Sequence, residues 1–405
     1  MRISSLIAAS ASWLATSAAV TALAQPAVEL PPEPPPPPPP TFVNLTVGGY
    51  GELHYSHVVP AEGDSRSSID LHRFVMFLGY NFSDSIRFQS EVEVEHAFSG
   101  DGNPGQVAVE QAFVEWDLVG QALTLRAGVM LVPMGIINEI HEPPTFHGVE
   151  RPNVERNIIP STWREGGIGL VGRLGDSFRY KAYLVGGLDA SGFSTGSGIR
   201  GGRQSVAEAR ADGLAFTGAI SYQPLVGLDL GLSGYIGDAG ANAGARFDSA
   251  GEPLELSVLT GGVAAHAQYK GHGLETKALF ASFFIADTEA LRSAKNADGS
   301  DAGNDAPART VGGYVEVAYN VLQSVEATQL QLLPFVRAEY YDTAATIKGR
   351  DETPADRDRG VTELIVGLTL RPVPQLAFKA DAIFRSFGGD RDGETVVDLG
   401  VGYNF

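Results

Sequence analysis

The sequence predicts an all-β chain that closes into a transmembrane, antiparallel, up-and-down barrel of about 16 strands. Three observations predict it. Apolar and polar residues alternate with period two over segments of about 10–16 residues. The connections between those segments alternate between short and long. No apolar run beyond the N-terminus reaches the roughly 20 residues that a membrane-crossing helix needs.

The N-terminus comes first. Met1 and Arg2 give a positive start, Ile3 to Leu23 is apolar and small, and Ala22-Leu23-Ala24 offers the small-x-small pattern of a cleavage site. Residues 1–24 are therefore expected to be a signal peptide removed before Gln25. Pro31 to Pro40 holds nine prolines in ten positions. Such a run adopts polyproline II, so residues 25–41 are expected to be a stiff periplasmic spacer.

Residues 42–405 carry the barrel pattern. Ile86, Phe88, Val92 and Val94 fall on one face, and Arg87, Gln89, Glu91, Glu93 and Glu95 on the other. A strand with one apolar and one charged face sits between two different solvents. Leu123 to Leu131, Phe178 to Leu184, Phe378 to Arg385 and Val396 to Phe405 repeat the rule. The expected strands span 42–57, 68–81, 84–97, 106–117, 121–131, 164–174, 176–187 and 211–222. The second eight span 225–237, 255–270, 272–286, 310–321, 328–342, 360–371, 375–387 and 393–405.

Short turns such as Leu174–Asp176 and Lys270–His272 alternate with Gly-, Asp- and Ser-rich connections such as 188–210, 238–254, 287–309 and 342–359. Short turns on one rim and long loops on the other describe a bacterial outer-membrane barrel. Only helices and closed barrels satisfy every backbone group in hydrocarbon. The last strand ends in Tyr403-Asn404-Phe405. A terminal aromatic of this kind resembles the signal read by the barrel-assembly machinery, which is the expected partner of Phe405.

Composition narrows the function. The chain has 48 acidic against 29 basic residues and a formal charge of -19, so nucleic acid is excluded as a partner. It has no cysteine, which excludes disulfides, thiolate metal sites and a cysteine nucleophile. Acidic loop residues Asp238, Asp298, Asp301, Asp305, Asp351 and Asp356 suit divalent ions bridging lipopolysaccharide, or simply solvated loop tips.

The longest connection without a strand pattern is Val132 to Trp163, the third long loop. It carries Ile136, Ile137, Phe146, Val149, Ile158, Ile159 and Trp163, which require burial, so it is expected to fold into the barrel and form its constriction.

The stretches IDLHRFVMFLGYNFSDSIRFQSEVEVEHA and GIINEIHEPPTFHGVERPNVERNIIPSTWREGGIGLVGRL, between Ile69 and Leu174, resemble the phosphate-selective porin O and P superfamily. The resemblance implies sixteen strands, an outer-membrane location, passive diffusion and a homotrimer, with anions selected by inward arginines and lysines. The positions matching that role are Arg151, Arg156 and Arg164 around the loop, and Arg87, Arg126, Arg173, Arg179 and Lys181 on inward faces. The same region carries Glu139, Glu142, Glu150, Glu155 and Glu165, with Glu91, Glu93 and Glu95 nearby. A constriction of mixed sign favours dipolar solutes over one ion type, so phosphate selectivity is not carried over.

Glu139, Glu142, Arg151, Glu155, Arg156 and Arg164 are the expected constriction, and Arg151 with Glu155 is a pair suited to hold the loop. His141 and His147 with Glu139 and Glu142 could converge on a metal, but the Pro143-Pro144 interruption gives no reason for convergence. No metal or other cofactor is expected. His72 and His96 lie on strands with no G-x-S-x-G motif near them, so no enzyme is expected. The expected function is an outer-membrane porin through which small polar or charged solutes diffuse. Its competitor is a structural or adhesive barrel with a plugged lumen.

Overall fold

A computed structural model describes residues 44–405, apart from 101, 103, 326–327, 349–358 and 390. The expected signal peptide and proline spacer lie outside the described residues. The first nine strands are β1 (Leu45–Pro60), β2 (Arg66–Asn81), β3 (Ile86–Glu95), β4 (Val107–Val119), β5 (Leu123–Leu131), β6 (Arg164–Leu174), β7 (Phe178–Gly186), β8 (Leu214–Leu225) and β9 (Leu228–Asp238). A two-residue hairpin, β10 (Arg246–Phe247) with β11 (Pro253–Leu254), sits in the following loop. Then come β12 (Leu259–Gly271), β13 (Leu274–Ile285), β14 (Arg309–Tyr319), β15 (Gln331–Thr346), β16 (Val361–Val373), β17 (Leu376–Phe387) and β18 (Glu394–Asn404).

Leaving aside β10 and β11, the sixteen remaining strands pair with their sequence neighbours, and β18 returns to β1 to close the barrel. The seam runs from Tyr50 opposite Asn404 to Pro60 opposite Glu394. Phe405 completes it, since its N–H donates to Gly49 O and Gly49 N–H donates to Phe405 O, each at 2.9 Å. No backbone edge is left to the surroundings, which is the condition hydrocarbon imposes.

The period-two pattern becomes two faces. On β13, Phe280 and Phe284 point outward and are about half exposed, while Leu279, Ala281, Phe283 and Ile285 point inward and are buried. On β16, Leu364, Val366 and Leu368 face out, and Glu363, Ile365, Thr369 and Arg371 face in. Near the turn rim the outer wall carries exposed aromatics, among them Tyr80, Phe82, Trp116, Phe178, Tyr222 and Tyr319. Their positions suit the boundary between acyl chains and headgroups.

The expected strands lie within a few residues of the observed ones. One departure has a clear cause. Residues 255–258, expected to begin a strand, stay outside β12 because Asp238 captures them, accepting from Val258 N–H at 2.8 Å and Ser257 Oγ at 2.8 Å. Gly128 in β5 has φ +136°, and a Cβ there would meet Ala112 O at 2.3 Å. Only glycine fits that approach.

Candidate functional site

The third long loop, residues 132–163, lies inside the barrel. Met134, Ile137, Phe146, Val154, Ile158, Ile159 and Trp163 are all at most 1% exposed. They pack with inward residues such as Tyr183, Tyr235 and Phe283 into one apolar cluster. The Trp163 ring lies 4.8 Å from that of Tyr235.

The loop pairs some of its backbone within itself, as Ile158 N–H does with Val154 O, and the rest must find partners elsewhere when buried. Inward polar and charged side chains of the wall supply several of them. Lys379 Nζ donates to Gly148 O at 2.8 Å and sits 3.7 Å over the Phe146 ring. Lys277 Nζ donates to Thr145 O, and Thr369 Oγ1 to His147 O. In the other direction, Val149 N–H donates to Asp381 at 2.7 Å and Val154 N–H to Glu339 at 3.1 Å. These wall groups lie on β13, β15, β16 and β17, across the lumen from β5 where the loop begins.

Within the loop, α1 (Val154–Asn157) is a single turn that aims Glu155 back at the loop's first limb. Its carboxylate accepts from Ile136 and Ile137 N–H at 2.7 and 2.6 Å, and from Tyr314 Oη–H at 2.7 Å. Burial is the largest influence on Glu155 and pushes its pKa up, against these donors. His141 faces Glu110 at 3.3 Å and Glu91 at 3.6 Å. Burial pushes the imidazole pKa down, but its bonds to Glu110 and Glu91 outweigh burial and hold it well above the ordinary value.

The residues expected at the constriction separate into four places. On the turn side, Lys181 pairs with Glu139 at 2.6 Å, Arg87 with Glu115 and Asp117 at 2.5 and 2.7 Å, and Arg126 with Glu115 at 2.7 Å. Arg173 and Arg179 are exposed toward the turn rim. Arg179 lines one cavity with Pro133, Ile136 and Glu139 at the turn-side end of the loop. Glu155, Glu142 and Arg151 belong to the seat of the loop. The expected Arg151–Glu155 pair does not form among the described residues. Glu155 is engaged by backbone amides, and Arg151 is buried with Nε and Nη2 lacking a hydrogen-bond partner.

The fourth place holds Arg156 and Arg164, joined by Arg200 and Arg203 from the next loop. Sequence reasoning missed the last two, because nothing local says that loop folds back over its neighbour. Arg200 donates to Arg156 O at 3.1 Å and Arg203 to Ser161 O at 2.5 Å. Burial, then the like charges of Arg200 and Arg164, draw the Arg203 pKa down to about 10. Among the described residues none of these four arginines has a carboxylate within ion-pair distance.

His141 and His147 lie apart. His141 sits against Glu91 and Glu110, whereas His147 lies 3.1 Å from Glu275 on β13. A G-x-S-x-G string does occur, at Gly192 to Gly196, within an irregular loop. Ser194 Oγ there pairs with Ser197 Oγ at 2.8 Å rather than with a histidine. Expected loop cation ligands are also engaged locally: Asp301 with Lys295, and Asp305 with Thr195. Asp351 and Asp356 lie outside the described residues.

No protein-family profile matches the chain. An uncharacterised protein of Aquifex aeolicus (strain VF5) is 35% identical over 356 residues, covering 86% of this chain and 78% of that protein. The chain belongs to that protein's family. Solved structures show the fold of the family. The anion-selective porin from Comamonas acidovorans aligns with TM-score 0.55 at 14% identity, covering 89% of this chain and 97% of that one. Pseudomonas putida OprB aligns with TM-score 0.56 at 11% identity, covering 89% and 94%. The family member described here is thus a porin-like, sixteen-stranded barrel of the bacterial outer membrane.

Proposed function

We propose that this barrel is a passive channel for small polar solutes, with its narrowest section where residues 132–163 cross the lumen and with a preference for anions. The observation that carries the reading is the imbalance between paired and unpaired charge along that loop. Glu139 is neutralised by Lys181, Glu150 faces His54 at 3.0 Å, and Glu155 is held by three donors. Among the described residues Glu142 and Glu165 have no cation within ion-pair distance. Arg156, Arg164, Arg200 and Arg203, which also lack an acidic partner there, outnumber them and gather in one place as a positive mouth. The reading includes cleavage after residue 24 and a spacer over 25–41. It also includes insertion through the strand ending in Phe405, contact with lipid and lipopolysaccharide, and assembly of three copies. It places the protein with the phosphate-selective porin O and P superfamily in kind, without phosphate selectivity.

The test is the reversal potential of purified protein in planar bilayers across a tenfold KCl gradient. Anion preference is expected, and neutralising Arg156, Arg164, Arg200 and Arg203 together with Gln should move the potential toward cations. An unmoved potential would place the selecting field elsewhere. The plugged-lumen reading has its own support in the apolar cluster that the loop forms across the barrel. Conductance that is absent from a demonstrably folded barrel would favour it.

A further inference from the structure

Where β1, β2 and β3 approach the loop rim, three imidazoles lie together with the carboxylates of Glu52, Asp70 and Glu150. A β-bulge in β2 creates the arrangement. Glu52 pairs with Arg73 and Leu53 with Leu71, so His72 is the extra residue. The bulge lets His72 and Arg73 both face inward, where strict alternation would send one of them to lipid. The His72 ring stacks on His54 with centroids 4.8 Å apart, and meets the His96 ring edge-on at 5.8 Å. His96 follows β3 and has φ +55°, a left-handed conformation that costs energy in a residue with a Cβ.

We propose that Asp70, His72 and His96 bind one divalent ion of the cobalt-to-zinc series on the lumen wall. Asp70 Oδ2 lies 2.8 Å from His96 Nδ1 and 3.3 Å from His72 Nδ1. The three ligand atoms lie within 4.8 Å of one another. Bonds of about 2.0–2.1 Å to imidazole and carboxylate set ligand-to-ligand separations of about 3.3 Å in a tetrahedral shell. Two of the three edges are already near that length, and closing the third needs a shift of side chains that are about a quarter to a third exposed. Among the described residues Asp70 has no Lys or Arg partner, so its charge faces only imidazoles.

Two imidazoles and a carboxylate form a mixed N/O set that suits this metal series better than calcium or magnesium, which favour oxygen ligands. Solvent completes the shell from the lumen. His54 and Glu150 are positioning residues: His54 stacks on His72, and Glu150 ties it at 3.0 Å to the loop inside the barrel.

The full mature chain, refolded in detergent and checked for a heat-modifiable barrel, is titrated with Zn2+ by calorimetry and with Co2+ by visible absorption. One equivalent of Zn2+ is expected, with Co2+ bands of a four- or five-coordinate ion that Zn2+ removes. His96→Gln and His72→Ala should each weaken Zn2+ by more than the roughly 10–100-fold loss typical of an outer-shell change. His54→Gln should weaken it within that range of roughly 10–100-fold, and His266→Gln on β12 should leave it unchanged. Absence of binding to the folded barrel overturns the proposal. So does binding that survives both His72→Ala and His96→Gln, which would move the ion to Glu91, Glu110 and His141. These readouts are independent of whether the barrel conducts.

Discussion

Lys379 shows how much one inward side chain does. A lone ammonium on a strand of alternating pattern reads as a solvated lumen charge, and Phe378, Ala380 and Ala382 around it give no other hint. In the folded chain it is 5% exposed and bridges to Gly148 O and the Phe146 ring, more than 200 positions away in sequence. That contact is invisible to local pattern, because it exists only after β18 has met β1. Lys379→Met keeps the length and removes the donor. It should lower unfolding stability by about 1–3 kcal/mol, the cost of leaving a buried carbonyl unpaired. Lys270→Met, whose side chain is 69% exposed, should change it by less than about 0.5 kcal/mol. Denaturant unfolding in detergent, followed by tryptophan fluorescence, compares the two.

The strands were the most legible elements. The alternation of Ile86 to Glu95 placed β3 correctly because its apolar residues fall on the outer face and its charged ones on the inner. The loop at 132–163 was legible in its destination, since its apolar residues needed burial. Its attachments were not, because Glu155 and Arg151, opposite in charge and four apart, suggested a pair that the fold replaces with backbone donors. The His141 clamp gives this loop a pH dependence. Its imidazole titrates higher in the folded state than when unfolded. The stabilisation is therefore complete below about pH 6.5, the unfolded value, and is lost as pH rises through the raised folded value. The stability gap between the native chain and His141→Gln should be widest in mild acid and shrink toward alkaline pH. A gap that widened with rising pH would show that the imidazole is neutral in the fold. Limited proteolysis within 132–163 gives the same comparison for the loop itself.

At the scale of the whole molecule, a closed wall turns a chain of alternating sequence into two environments. The outer face is apolar with aromatics at the turn rim, and the inner face is charged and partly filled by one loop. Charge signs in the sequence did not give the pairing inside, since Glu139 and Glu150 meet Lys181 and His54, while among the described residues the four mouth arginines bond to backbone carbonyls or to nothing acidic. The solved structures similar to this chain share its barrel at 11–14% identity, which shows the fold alone. Conduction around the seated loop is the central claim, and single-channel recording in planar bilayers tests it most directly. The purified mature chain should give discrete, stable conductance steps, and excising residues 134–160 should raise the size of each step. Folded protein that stays silent both with and without that segment would contradict the account.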